Sequence, residues 1–178
     1  MKKMITVLMI SIVGINGFAQ QTNEKELSNA EKFSAKSGTL IQKVFNTIGT
    51  FKKCEIQVIE YTDLISNTKQ KALKISFDVV STYSTDTKTA VLDTDEIDGL
   101  MKSIKLMQEK VMLTVPTLYT EVSFKSRGGF EAGCFVSKED WSSYLKLVKN
   151  DGKSYVWIEK DDLTTFYDLL SQAKLKMQ

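Results

Sequence analysis

The sequence predicts an α+β domain in which an antiparallel sheet carries helices packed on one face. Three observations lead to this class. Short runs of alternating apolar and polar residues, typical of strands, follow one another with polar turns between them. Other stretches repeat their apolar residues every three or four positions, as helices do. A single proline and no low-complexity run occur beyond residue 38, so we expect 38–178 to form one domain.

The first 19 residues have the features of a secretory signal peptide. Two lysines follow the first methionine, an apolar run extends from Met4 to Val13, and Gly17-Phe18-Ala19 places small residues before a cut after Ala19. The apolar run has about ten residues, whereas a membrane-spanning helix needs roughly twenty. We therefore predict an exported protein, periplasmic or secreted, without an integral membrane span.

Charge and composition exclude several classes of function. The chain has 24 basic and 22 acidic residues, and the two signs would balance once Lys2 and Lys3 leave with the signal peptide. Nucleic acid is not expected as a partner, because its phosphates require a clustered basic face. The chain has no histidine, so a Ser-His-Asp triad, a Cys-His pair and the common zinc sites cannot form. We expect neither a metal nor a cofactor.

Residues 20–37 form a polar N-terminal arm. Within it, Ser28 and Asn29 are suited to cap one short helix that runs through Phe33, with Gly38 as its stop.

The next segment, Thr39 to Ile48, fits both a strand and a helix, and its β-branched content favours the strand. Alternating patterns then predict strands over 54–62, 71–83 and 88–92. Asp93 begins a helix, because Glu96 three residues later completes a capping box. The apolar stripe of this helix consists of Ile97, Leu100, Met101, Ile104 and Met107.

Strands over 118–126 and 130–137 are predicted to form a hairpin with K-S-R-G-G-F-E-A-G-C at its tip. A three-residue loop, Arg127-Gly128-Gly129, pairs unlike charges and brings apolar residues to one face, with Gly129 in the left-handed position. Arg127 is the only arginine of the chain, and we predict that it contacts a carboxylate outside the chain.

A helix is predicted after Ser137 and Asp140, which resemble caps. Its inner face would carry Trp141, Tyr144, Leu145 and Val148. A strand over 154–158 and a terminal helix complete the domain. The apolar side of the terminal helix consists of Leu163, Phe166, Leu170 and Ala173.

An internal similarity at an offset of 66 residues accompanies this pattern. E-I-Q-V at 55–58 matches E-V-S-F at 121–124, and the stretch 89–97 matches 155–163. The match indicates two tandem βββα units, with the Trp141 helix as an insertion. Chance similarity between amphipathic segments explains it equally well.

Two cysteines, Cys54 and Cys134, occur in the chain. Export would permit a disulfide between them, and two separate buried thiols fit the sequence equally well.

The faces of the strands supply the functional hypothesis. If Val122, Cys134 and the other apolar residues on their side of the strands face the helices, the opposite side of the strands carries an aromatic group. Its members are Tyr119, Phe135, Tyr155 and Trp157, joined by Ile59 and Tyr61 from the first unit. A solvated face is normally polar, so something is expected to cover this one.

Three covers are compatible with the sequence: the N-terminal arm together with Thr39 to Ile48, a protein partner or second copy, and an apolar ligand or peptide. We therefore predict an exported, non-enzymatic binding module. A periplasmic hydrolase that uses carboxylates or lysine is the alternative, although nothing in the sequence selects a catalytic pair among 22 acidic residues.

Overall fold

The computed structural model describes residues 26–178. The predicted signal peptide and residues 20–25 of the N-terminal arm lie outside it. The elements, in chain order, are α1 (Asn29–Ser34), β1 (Ile41–Phe51), β2 (Cys54–Asp63), β3 (Thr68–Val80), β4 (Thr85–Asp93), α2 (Thr94–Glu109), β5 (Glu121–Lys125), β6 (Glu131–Ser137), β7 (Asp140–Lys146), β8 (Tyr155–Ile158) and α3 (Asp162–Met177).

The α+β class is confirmed, and the strands form two antiparallel sheets in place of the single sheet expected. Sheet A contains β1 to β4 and sheet B contains β5 to β8, each in chain order. Successive strands are joined by short connections, which keeps sequential neighbours adjacent. The sheets are separate because α2 and the connection over 110–120 carry the chain away before β5 begins.

Helices α2 and α3 contact each other and pack on the inner faces of the sheets. Their predicted apolar stripes are buried except for the half-buried Met101, with Leu100, Ile104, Phe166 and Leu170 fully enclosed. One continuous core contains side chains from both sheets and both helices. Burial of this apolar surface provides the main driving force for folding.

Each half of the chain therefore consists of four strands followed by a helix, one strand more than the predicted βββα unit. One match at the offset of 66 relates the end of β4 and the start of α2 to β8 and the start of α3. Its other match joins 55–58 in β2, the second strand of sheet A, to 121–124 in β5, the first strand of sheet B. This second match therefore relates strands that have different places in the strand order of their sheets.

The predicted Trp141 helix is wrong, because these residues form strand β7. Lys138 and Glu139 both adopt positive φ angles, 51° and 68°. A two-residue turn with both central residues left-handed matches the twist of a hairpin, so the chain folds straight back along β6. Val136 then pairs with Trp141, and a helix has no room to begin.

Three local predictions are confirmed. Ser28 caps α1 with a complete capping box, and Gly38 follows at φ +72°. Thr39 to Ile48 is strand for most of its length, as its β-branched content favoured. Asp93 precedes α2, and its N–H donates to Glu96 Oε2 at 2.9 Å.

The hairpin register is also confirmed. Lys125 pairs with Glu131 and Val122 with Cys134. Ser126 N–H donates to the Phe130 carbonyl oxygen at 2.9 Å, and Gly129 has φ +84°.

Both cysteines are buried free thiols, so the described structure contains separate side chains and no disulfide between Cys54 and Cys134. Burial raises the pKa of each thiol to about 11. Within residues 26–178, no helix combines the length and apolar character needed to cross a membrane.

Candidate binding surface

Helix α1 covers part of the outer face of sheet A, the side turned away from α2 and α3; Phe45, which pairs with Ile59 on this face, remains 51% exposed. Phe33 of α1 packs there against Ile59 and Tyr61, each only 3% exposed. These two residues belong to the predicted aromatic group, and the structure places them in this separate small core. Burial raises the pKa of Tyr61 to about 12, with the negative charges of Glu31 and Asp93 contributing.

Asp93 holds α1 in place. Its buried carboxylate accepts the N–H groups of Asn29 at 2.7 Å and of Ala30 at 2.9 Å. These are free N–H groups of the first helical turn, where a carboxylate is the favoured acceptor. The residue that precedes α2 thus also anchors α1.

Arg127 joins the same cluster from the tip of the β5–β6 hairpin. Its Nη2 donates to Asp93 Oδ2 at 3.0 Å and to Asp95 Oδ1 at 2.5 Å. Its backbone N–H donates to Glu96 Oε1 at 2.7 Å. These carboxylates raise the pKa of Arg127, and the guanidinium lowers the pKa of Asp95.

The lone arginine therefore binds carboxylates of its own chain, in place of the partner carboxylate that we expected. It lies at the tip of the β5–β6 hairpin, whereas Tyr119 and Phe135 lie at the hairpin's other end. We assign Arg127 a structural role in fixing sheet B to α2 and α1, apart from the aromatic group.

The outer face of sheet B is open. Tyr119 and Trp157 are 70% and 60% exposed, so no part of the described chain covers them. Adjacent ring centroids lie 5.4 to 6.4 Å apart, within the range of attractive ring contacts. We call this group the aromatic surface; it consists of Tyr119, Phe135, Tyr144, Tyr155 and Trp157.

Tyr144 forms the floor of the aromatic surface and is only 3% exposed. It fits because its neighbour on β6 is Gly133, where a Cβ atom would lie 3.0 Å from Tyr144 Cζ and 2.8 Å from the Val122 carbonyl oxygen. A real Cβ does not approach backbone so closely, so the glycine admits the ring.

Glu121 is the polar centre beside these rings. One carboxylate oxygen accepts the Tyr144 hydroxyl and the other accepts the Tyr119 hydroxyl, each at 3.3 Å. Burial, followed by the charge of Glu121, raises the pKa of Tyr144. The two phenols are therefore protonated donors near neutral pH.

A hollow of about 620 Å³ adjoins the aromatic surface at Trp157. Trp141 also contributes to its lining, from the inner face of sheet B that packs against the core, and its indole Nε1–H donates to the Thr114 carbonyl oxygen at 2.9 Å. We call it the tryptophan hollow. Its lining also includes polar side chains, namely Asp140, Ser142, Ser143, Glu159 and Lys160.

A second hollow, of about 560 Å³, lies beside Tyr119 and shares Val115 with the tryptophan hollow. Its lining is largely apolar and includes Pro116, Leu118 and Val136. The aromatic surface thus borders two neighbouring depressions.

Sequence reasoning placed Tyr119, Phe135, Tyr155 and Trp157 on one face, and the structure brings these four together. It missed Tyr144, because this residue was assigned to the inner face of a helix. Trp141, assigned to the same helix, packs against the core from the inner face of sheet B. The signal present in the sequence was alternation over 140–146, which places Ser142 and Tyr144 together on the face opposite Trp141.

The fold and this site define an α+β protein of two ββββα units with one open aromatic sheet face. Neither the protein-family models nor the curated proteins and solved structures compared with the chain gave a match. The site is therefore interpreted from its own chemistry.

Proposed function

We propose that this chain is a non-enzymatic binding module that engages its partner through the aromatic surface of sheet B. The observation that carries the proposal is the row of touching aromatic rings on an uncovered sheet face. A sheet face exposed to water is normally polar, and aromatic residues are enriched where proteins bind. The two hollows beside the row add concave space of the size that ligands occupy.

Export is part of the same proposal, and it rests on the signal-peptide features of residues 1–19. If the chain is expressed in a Gram-negative host, we expect the periplasmic or secreted product to begin at Gln20. Intact-mass measurement checks this directly. A product that retains residues 1–19 and stays with the cytoplasmic fraction contradicts the proposed location.

Binding is tested with an immobilised double variant, Trp157→Ala with Tyr119→Ala, compared with wild type in a cell-envelope extract. Both side chains are largely exposed, so the fold should be retained. Tyr83→Ala is the matched control, because Tyr83 is 97% exposed at the β3–β4 hairpin tip and lies outside the aromatic surface. We expect saturable retention of a component by wild type and Tyr83→Ala, and its loss in the double variant.

Equal retention by all three proteins contradicts the proposal. A self-association that sedimentation velocity detects in wild type and that disappears in the double variant identifies the partner as a second copy of the chain.

A carboxylate hydrolase is the second candidate, because Asp140 and Glu159 line the same hollow. Hydrolysis of a glycosidic bond uses two such groups. Progressive release of reducing ends from a polysaccharide, abolished in both Asp140→Asn and Glu159→Gln, distinguishes this candidate from simple binding.

A further inference from the structure

We propose that the chain forms a symmetric dimer in which the edge strand β1 pairs antiparallel with β1 of a second copy. This contact joins two copies of sheet A and does not involve the aromatic surface of sheet B, so it goes beyond the proposed function. Its basis is a long strand edge that has no neighbouring strand within residues 26–178 and whose side chains are arranged symmetrically about Val44.

Strand β1 has the longest edge in the described part of the chain. Each four-stranded sheet ends in two edge strands, which are β1 and β4 in sheet A and β5 and β8 in sheet B. Strands β5 and β8 have only five and four residues, whereas β1 has 11. The β5–β6 hairpin approaches β4, since a Cβ atom on Gly128 would lie 3.1 Å from the Val91 carbonyl oxygen. A long open edge is a template for pairing with another strand.

The hydrogen bonds of β1 show which of its backbone groups face outward. The Leu64 N–H donates to the Leu40 carbonyl oxygen at 2.8 Å, and these two residues continue the register of the β1–β2 pairs. Because antiparallel hydrogen bonding alternates along a strand, the even-numbered residues that follow Leu40 bond to β2. The odd-numbered residues direct their N–H and C=O groups away from sheet A; these are Ile41, Lys43, Phe45 and Thr47. An added strand would engage these groups in a further ladder of hydrogen bonds.

The regular part of β1 is symmetric about Val44. It extends from Ile41 to Thr47, where a shift in register marks a bulge. Six of its seven residues are exposed, and Val44 and Phe45 are 44% and 51% exposed. Two copies paired about Val44 use this whole stretch and place the outward-facing residues opposite one another, Ile41 opposite Thr47 and Lys43 opposite Phe45.

The side chains along this edge favour a second copy over an unrelated strand. On the face toward the helices, Leu40, Val44 and Ile48 are spaced four residues apart, so the two-fold axis places Val44 against its counterpart and Leu40 against Ile48. Leu40 is 60% exposed, and Ile48 packs half-buried against the core. On the opposite face, Lys43 would lie beside the Phe45 ring of the second copy, a favourable pair of a cation and an aromatic ring. Lys43 is the only charged residue of the stretch, so this register opposes no like charges.

Sedimentation velocity of the purified wild-type protein over a range of concentrations tests the dimer. We expect an equilibrium between monomer and dimer. Val44→Asp should weaken the dimer by about tenfold or more, because it places two like charges against each other on the two-fold axis. Val80→Asp is the matched control, since Val80 is a 77% exposed valine at the end of β3, and it should leave the equilibrium unchanged.

Cysteine cross-linking tests the register. In an antiparallel pair centred on Val44, the two Cα atoms lie about 4.5 Å apart, within the range that a disulfide bridges. Val44→Cys should therefore form a disulfide-linked dimer under mild oxidation, and the native thiols should not interfere, because Cys54 and Cys134 are buried. Asn46→Cys is the matched control, because Asn46 is exposed on the same face and would lie about 13 Å from its counterpart in this register.

A wild-type protein that remains monomeric up to about 0.1 mM overturns the proposed dimer, and so does a dimer that Val44→Asp leaves unchanged. Cross-linking of Asn46→Cys as readily as of Val44→Cys overturns pairing about Val44. The double variant Trp157→Ala with Tyr119→Ala separates the two proposals, because it should lose the envelope component and keep the β1 dimer. Loss of the dimer in that double variant, with the dimer kept in Val44→Asp, would place self-association on the aromatic surface and overturn pairing through β1.

Discussion

The outer faces of the two sheets both carry aromatic side chains, and those side chains lie in different environments. On sheet A, Ile59 and Tyr61 lie beneath α1 and are buried. On sheet B, Tyr119 and Trp157 project from a face that no part of the described chain covers. Each sheet is a four-stranded antiparallel meander followed by a helix, and α3, which follows sheet B, packs against α2 and the strands of sheet A. The difference comes from one short helix that precedes the first unit.

An apolar outer face on a sheet is therefore not by itself a functional signal. Six residues of α1 are enough to convert part of such a face into core, provided that the helix is anchored. The anchor is Asp93, a residue of sheet A itself, reinforced by Arg127 from sheet B. The aromatic surface of sheet B has no corresponding cover within residues 26–178, and this is why we assign it to binding.

The largest expected effect comes from Asp93→Ala, which removes the anchor of the covered face. Two N–H groups of α1 and the Arg127 guanidinium would lose their acceptor at a buried position. Breaking such a cluster costs about 3 kcal/mol. Urea denaturation should show this loss of stability, and binding of a hydrophobic dye should increase as Ile59 and Tyr61 become exposed.

Asp98→Ala is the matched control for that experiment, since Asp98 is an exposed carboxylate of α2 that pairs with Lys174. An exposed pair of this kind contributes about 0.5 kcal/mol. A loss in Asp93→Ala no larger than in Asp98→Ala would show that α1 does not depend on this carboxylate.

Alkaline pH provides a second, smaller way to open the covered face. The pKa of Tyr61 is raised by burial from 10.0 to about 12. Because the folded state holds the neutral phenol more tightly, this contribution to stability is complete below pH 10 and is lost as pH rises to about 12. The free energy of unfolding should fall by about 1 kcal/mol for each pH unit in that window.

Tyr61→Phe is the control, because it lacks the ionisable hydroxyl and keeps the ring. Its urea midpoint should fall less steeply than that of wild type between pH 10 and 12. Parallel curves for the two proteins would place the alkaline sensitivity elsewhere in the molecule.

Local signals allowed much of the fold to be predicted from sequence. The capping boxes at Ser28 and Asp93 and the register of the β5–β6 hairpin depend on neighbouring residues, and they were read correctly. The error at Trp141 arose because aromatic residues at helical spacing also fit a strand. The left-handed turn at Lys138 and Glu139 decided the outcome, and neither residue is typical of that conformation.

For the candidate site, the sequence could predict which aromatic residues share a face but not whether that face is covered. Alternation within a strand shows which residues share a face, and it correctly grouped Phe135 with Tyr155 and Trp157. It cannot show which face a distant segment will cover, because that depends on contacts such as Asp93 with Ala30, 63 residues apart in the chain. The contrast between the two outer faces therefore required the structure.

The smallest effect on stability is expected for a substitution on the open face of sheet B. Trp157→Ala removes a large aromatic side chain that is 60% exposed, so the free energy of unfolding should change by only about 0.5 kcal/mol. Phe33→Ala, on the covered face, should cost about 3 kcal/mol, because Phe33 is nearly buried against Ile59 and Tyr61. Urea denaturation of both variants gives the two values. A loss in Trp157→Ala as large as that in Phe33→Ala would mean that Trp157 contributes to folding as core residues do, and the case for an open surface on sheet B would then fail.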